Sequence, residues 1–183
     1  ESIGSGGMGR VFKGWDRTLQ RTVAVKFLSD ELAWTAEARW QLYREARALS
    51  RLDHPNICTV HEIAEDAQGR PYIVMAYYEG ETMRARLERG PMPLPEALEA
   101  IFQVCLGLQA AHEARIIHRD VKPANIMLTS DGSVRLLDFG VARMDEGAAT
   151  ISGLQIGTPR YMSPEQLRGE RVDERTDIWS VGT

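Results

Sequence analysis

The chain has 183 residues, 43% of them hydrophobic, which is enough to bury a sizeable core. Its net charge of −4 and pI near 5.6 argue against general affinity for nucleic acid or for anionic membranes. No apolar run approaches the roughly 18 residues of a membrane span, no secretory signal opens the chain, and two cysteines without a CxxC pair, Cys58 and Cys105, predict buried thiols in a reducing, cytoplasmic compartment.

The chain opens on Gly4-Ser5-Gly6-Gly7-Met8-Gly9, a GxGxxG whose glycines allow a tight turn and bring amides close to phosphate oxygens. Alone the motif is weak, and a plain glycine-rich turn explains it equally well. A dinucleotide site needs a helix directly after the glycines. Here the β-prone run Arg10–Lys13 follows, then a turn and a second strand over Thr22–Leu28, so the glycines read as a flexible lid between two strands. Within Val23-Ala24-Val25-Lys26, alternation puts Ala24 and Lys26 on one side of the sheet. A lysine in an apolar strand either snorkels outwards or meets an anion. A helical stretch over about Glu31–Leu52 comes next, with Leu42, Tyr43, Ala46 and Leu49 at helical spacing. Glu45 on that helix is either an exposed charge or the carboxylate that Lys26 meets. Asp53-His54-Pro55-Asn56 breaks the helix. Strands over Cys58–Ala64 and Pro71–Ala76 are predicted, joined by a hairpin loop at Glu65–Arg70.

The second half reads as helical at first. Pro95, with Glu96 and Glu99 after it, starts a long helix whose apolar face is predicted as Leu94, Leu98, Ile101, Cys105, Leu108 and His112. Short strands at Ile126–Leu128 and Val134–Leu137 flank the turn Ser130–Ser133. A β-rich part over residues 1–78 is thus followed by a mostly helical part over 79–183, an α+β organisation with no repeat or linker.

Between the long helix and the second strand pair, His118-Arg119-Asp120-Val121-Lys122-Pro123-Ala124-Asn125 packs an Asp, a Lys and an Asn into one loop, and Asp138-Phe139-Gly140 follows. Asn125 and Asp138 offer the hard oxygen donors that Mg²⁺ prefers. Asp120 is suited to accepting a hydroxyl proton, and Lys122 to neutralising a phosphate in transfer. Any one of these residues fits a solvated loop; all of them, in this order behind a glycine loop and a strand lysine, do not.

On these residues the chain resembles the eukaryotic-type (Hanks-type) serine/threonine protein kinase family, in its bacterial branch. The resemblance implies a two-lobed α+β kinase fold, with a β-rich N-lobe carrying one helix and a mostly helical C-lobe. It implies ATP and Mg²⁺ as cofactors and proteins with serine or threonine acceptors as substrates. Ile3, Gly4, Ser5, Gly6, Gly7, Met8 and Gly9 would cover ATP, with Val11 and Ala24 against the adenine. Met75 would sit at the back of the pocket, Met127 would form its floor, and the backbone of Ala76 and Tyr78 would bond the base. Lys26 would hold the α- and β-phosphates and pair with Glu45, Asp120 would be the catalytic base beside Lys122, and Asn125 and Asp138 would bind the metal.

Gly157–Glu165 resembles the family's substrate-docking loop, with Thr158 as the docking threonine, and Asp177–Gly182 the start of the helix that anchors the catalytic loop. Lys122 and Thr158 follow the serine/threonine rather than the tyrosine pattern. Thr150 and Ser152 are candidate phosphosites whose phosphate Arg119 and Arg143 would clasp, and a dimer serving autophosphorylation in trans is among the partners implied. Neither nucleic acid nor membrane contact is implied for this segment, although many bacterial members are tethered to a membrane.

The resemblance also implies that the chain is clipped at both ends, that Glu165 lacks its usual arginine partner, and that the isolated segment is poorly folded and inactive. A pseudokinase is the main alternative, opposed by the intact set Lys26, Glu45, Asp120, Asn125 and Asp138. A nicotinamide oxidoreductase is opposed by the strand after Gly9. A small-molecule phosphotransferase is opposed by the docking segment.

Overall fold

The computed structural model describes residues 1–6, 9–28, 36–139 and 159–183. The described chain divides into two compact units, one of Glu1–Arg51 and Thr59–Tyr77, the other of Leu52–Cys58 and Tyr78–Thr183.

The first unit is an antiparallel sheet of β1 (Ser2–Gly6), β2 (Gly9–Asp16), β3 (Arg21–Leu28), β4 (Val60–Glu65) and β5 (Pro71–Ala76), in the order β1-β2-β3-β5-β4. Gly4, Ser5 and Gly6 pair with Val11, Arg10 and Gly9, so most of the motif belongs to the two strands of a hairpin. Gly9 has to be glycine: its φ is +130°, and a Cβ there would lie 1.9 Å from the Phe27 carbonyl oxygen. The β2–β3 turn is closed by Asp16, whose Oδ1 accepts the Thr18 and Leu19 amides, each at 3.0 Å. Asp66 does the same at the β4–β5 turn, accepting from Gln68 and Arg70 at 2.9 Å.

Helix α1 (Ala36–Leu49) ends at Leu49 rather than at the Leu52 that the sequence spacing predicts. Leu42, Ala46 and Leu49 are its buried stripe, as that spacing requires. At its other side Tyr43 donates to Glu65 Oε1 at 2.9 Å, and the Arg39 guanidinium binds the same carboxylate.

The second unit contains a small antiparallel sheet of β6 (Gly80–Thr82), β7 (Ile126–Thr129) and β8 (Val134–Leu136), in that order. Its helices are α2 (Met83–Glu88), α3 (Leu94–Glu113), α4 (Pro164–Arg168) and α5 (Arg175–Val181). Neither β6 nor α2 is evident in the sequence, being three and six residues long; α2 is started by Thr82, whose side chain accepts from the Ala85 amide at 3.2 Å. The segment before β4, which reads as strand from Cys58 onwards, belongs to this unit instead. Cys58 N–H donates to the Leu136 carbonyl at 2.9 Å, Leu136 N–H to the Asn56 carbonyl at 2.8 Å, and Asn56 Nδ2 to Val134 O at 2.9 Å.

Helix α3 corrects one expectation. Its buried positions are Ala100, Val104, Gly107, Leu108 and Ala111, whereas Leu94, Leu98 and Cys105 of the predicted face are exposed. Cys58 is buried as expected; Cys105 is not. The physical reason is close approach. A Cβ at Gly107 would lie 2.8 Å from the Asn56 carbonyl oxygen and 2.9 Å from Leu136 Cδ1, so the small residues Ala100, Gly107 and Ala111 share the inner face with Val104 and Leu108. Gly107→Ala is therefore expected to lower the unfolding free energy of the full-length protein by about 1–3 kcal/mol in urea titrations, through forced displacement of backbone.

Candidate active site

In the first unit the register decides which side chains share a face. Opposed residues of antiparallel strands point the same way, as do residues two apart on one strand. Lys26 lies between Val11 and Ile73, and Ala24 between Lys13 and Met75, so Val11, Ala24, Lys26 and Met75 occupy one face, with Gly4 opposite Val11 at its edge. Ile3, where the β1–β2 register shifts, is 46% exposed. Lys26 is only 6% exposed, which excludes the snorkelling alternative and leaves an ammonium that requires an anion. Glu45 is half-buried on α1, one turn before Leu49. Ala76 commits its N–H to the Thr59 carbonyl at 2.9 Å, so any contact it makes to a base falls to its carbonyl.

In the second unit the loop after α3 is fixed from beneath. Asp177, fully buried in α5, accepts the amides of His118 and Arg119, both at 2.8 Å, and the His112 Nε2 at 2.8 Å. Arg119 has φ +63° and its carbonyl accepts Gln166 Nε2 at 2.8 Å, so the peptide groups leading into Asp120 are held on both sides. Asp120, 7% exposed, then meets two donors on Oδ2: Lys122 Nζ at 2.7 Å and Asn125 Nδ2 at 2.9 Å. Asn125 Nδ2 also reaches the Asp120 carbonyl at 2.9 Å. With its amide nitrogen turned to Asp120, Asn125 has its carbonyl oxygen as the side-chain atom that could hold a cation. Asp138, at φ +51°, offers a second oxygen ligand from the strained left-handed region. This donor set of amide oxygen and carboxylate suits Mg²⁺. Met127 lies on β7, paired with Arg135 on β8.

His118 is fully buried, and its ring packs on Phe139 with centroids 4.5 Å apart. Its Nε2 meets the Leu137 carbonyl at 2.9 Å, where it must be the donor, while Nδ1 accepts the Asp120 amide at 3.3 Å. Only the neutral Nε2–H tautomer satisfies both contacts. Burial lowers its pKa from the ordinary 6.5, with nearby Asp177 and Asp120 opposing that shift. A depressed folded-state pKa means that the unfolded chain takes up the proton first as pH falls. This part of the stability is thus present above pH about 6.5 and lost below it. The unfolding midpoint of the full-length protein should drop between pH 7 and 5, and by less in His118→Phe. His61, whose pKa burial also lowers, remains in both proteins as a common background.

Two features escaped the sequence reading. Ser163 is fully buried and caps α4 in a reciprocal box with Gln166, a pattern visible in the spacing Ser163-Pro164-Glu165-Gln166. Glu165, expected to lack its usual arginine, accepts the Thr176 hydroxyl at 2.6 Å, which holds its carboxyl below the ordinary range. The candidates Gly7, Met8, Arg143, Thr150, Ser152 and Thr158 lie outside the described residues.

The chain is similar to bacterial protein kinases. It is 43% identical over 189 residues to the serine/threonine-protein kinase PknB of Mycobacterium tuberculosis, matching 100% of this chain and 30% of that protein. It is 43% identical over 187 residues to the probable serine/threonine-protein kinase SCO3848 of Streptomyces coelicolor, matching 98% of this chain and 28% of that one. The chain thus spans less than a third of the length of these curated relatives. Among solved structures, the Mycobacterium tuberculosis PknI kinase domain aligns with a TM-score of 0.79 and 32% identity, over 98% of this chain and 68% of that one. The fold is accordingly kinase-like, with an antiparallel β-sheet unit carrying one helix and a second unit richer in helix. Among the described residues no helix is long and apolar enough to cross a membrane. The family model described as protein kinase domain matches residues 1–183, and the chain belongs to that family.

Proposed function

We propose that this chain carries the catalytic machinery of a serine/threonine protein kinase, moving the γ-phosphoryl group of ATP to serine or threonine hydroxyls of protein substrates. The observation that carries this reading is the Asp120 carboxylate, held by Lys122 at 2.7 Å and Asn125 at 2.9 Å in a loop whose two preceding amides bind the buried Asp177. Relatives named as serine/threonine-protein kinases support the reaction class. In this reading the first unit is the N-lobe and the second the C-lobe.

In this reading the substrate hydroxyl oxygen attacks the γ-phosphorus in line, and its proton passes to the Asp120 carboxylate. The bond to the bridging oxygen breaks, and ADP leaves with that electron pair. Little covalent chemistry falls to the protein, so the rate comes from positioning and charge stabilisation. Lys26 holds the α- and β-phosphates and is oriented by Glu45, and Lys122 neutralises charge on the phosphoryl group in transfer. Asn125 and Asp138 would hold Mg²⁺, which when bound would supply further neutralisation of charge on the phosphates. Val11, Ala24, Met75 and Met127 contact adenine, whose edge bonds the backbone of Ala76 and Tyr78, and the glycine hairpin from Ile3 to Gly9 covers the phosphates.

Lys26→Met and Asp138→Asn, made in the full-length protein, should each reduce phosphotransfer by about 10²–10³-fold, the range for a removed charge stabiliser. Turnover at the wild-type rate in either variant would remove the role given to that residue.

A further inference from the structure

One charged side chain next to the proposed adenine contacts has no part in the reaction as described. Arg135 stands on β8, opposite Met127 on β7. Its guanidinium carbon lies 4.7 Å from the centre of the Tyr78 ring. Its Nε is buried and, among the described residues, has no hydrogen-bond partner. A guanidinium nitrogen left unsatisfied is unusual in a native protein and calls for a compensating interaction. The ring face of Tyr78 is the one at hand, because a cation over an aromatic face is attracted by the ring quadrupole, most strongly when water is excluded. Arg135 suits this better than lysine would in one respect, since its planar group also stacks. It therefore links the chain segment at Tyr78 to the strand pair that carries Met127.

We infer that Arg135 is a positioning residue for nucleotide, setting the Tyr78 backbone through its ring so that adenine meets both that backbone and Met127. The inference rests on the kinase reading above. It concerns binding of the base alone: Arg135 has no path to the phosphates in this proposal, so its loss should change ground-state and transition-state binding equally. The neighbouring Tyr77 carries a cation on its ring in the same way, Lys13 Nζ at 4.3 Å, within the first unit. Two consecutive aromatic residues thus each have a cation on the ring. That pattern fits a segment whose backbone has to be fixed more than it fits incidental packing.

The test is steady-state kinetics on the full-length protein, with adenosine as a probe that has the base and ribose but no phosphates. Arg135→Met keeps the apolar stem and removes the cation; it should raise the KM for ATP about three- to tenfold, the range for a partly desolvated cation–π contact, with kcat within twofold. The inhibition constant of adenosine against ATP should rise by the same factor. Arg135→Lys keeps a cation over the ring and should recover most of the loss. Tyr78→Leu should match Arg135→Met, and the double variant Arg135→Met/Tyr78→Leu should be no worse than either single one. An unchanged KM in Arg135→Met, a fall in kcat instead, or additive effects would overturn the inference. Adenosine that competes with ATP in the wild type, but equally well in Arg135→Met, would overturn the inference alone. Adenosine that fails to compete in the wild type would overturn the adenine assignment itself, and this inference with it.

Discussion

Asp120→Asn should lower kcat by about 10²–10⁴-fold, the range for loss of a general base, and leave the KM for ATP nearly unchanged. The expectation follows from what surrounds the carboxylate. Asp120 Oδ2 already accepts from two donors, Lys122 Nζ and Asn125 Nδ2. An asparagine has one acceptor oxygen, so it satisfies those donors or faces a substrate hydroxyl, but not both. If its nitrogen turns to Lys122 and Asn125, three donors crowd together; if its nitrogen turns outwards, no group is left to take the proton. The substitution is nearly isosteric, so folding should be little affected. Steady-state kinetics with a melting curve on the same sample separates the two. A kcat within tenfold of the wild type would show that Asp120 is not the base.

Asp177→Ala should produce the largest loss of stability. The side chain is fully buried and accepts from the His118 and Arg119 amides and from His112. Removing it strands the buried His118 and part-buried Arg119 peptide N–H groups, each costing up to about 1–3 kcal/mol when left unmade. The total loss should reach about 3–5 kcal/mol, as for breaking other buried charge contacts. That is a large part of the roughly 5–15 kcal/mol by which a domain is stable. Asp177→Asn keeps an acceptor oxygen and should lose less. Activity should fall in both, because the two stranded amides lead directly into Asp120. Urea unfolding of the full-length protein gives the number; a change under about 1 kcal/mol in Asp177→Ala would contradict the anchoring role.

Much of this architecture was legible in the residues. The alternation at Val23–Lys26 placed Ala24 and Lys26 on one face because strand geometry leaves no other choice. The turns at Asp66 and at Ser130–Ser133 followed from side chains that bond their own backbone: Asp131 Oδ1 accepts from Thr129 and Ser133, and the Thr129 hydroxyl first among them lowers the Asp131 pKa to about 2. The inner face of α3 was legible only at Leu108, because periodicity counts large apolar residues and three of its five buried positions are the small Ala100, Gly107 and Ala111. Nor did the sequence show that Asn56 would be buried, bonded to Gln103 and to Val134. Its partners are far along the chain, and no local pattern announces a long-range polar contact. The same holds for the site. The loop residues from His118 to Asn125 announce themselves by their order, whereas His112 and Gln166, which fix that loop through Asp177 and the Arg119 carbonyl, read only as ordinary helix positions.

The most direct measurement is phosphoryl transfer from γ-labelled ATP with Mg²⁺ by the full-length protein, followed by identification of the labelled amino acids. The account predicts label on serine or threonine of the protein itself or of an added protein substrate, and none in Asp120→Asn beyond about 1% of the wild type. Label on tyrosine alone, or equal labelling by wild type and Asp120→Asn, would contradict it.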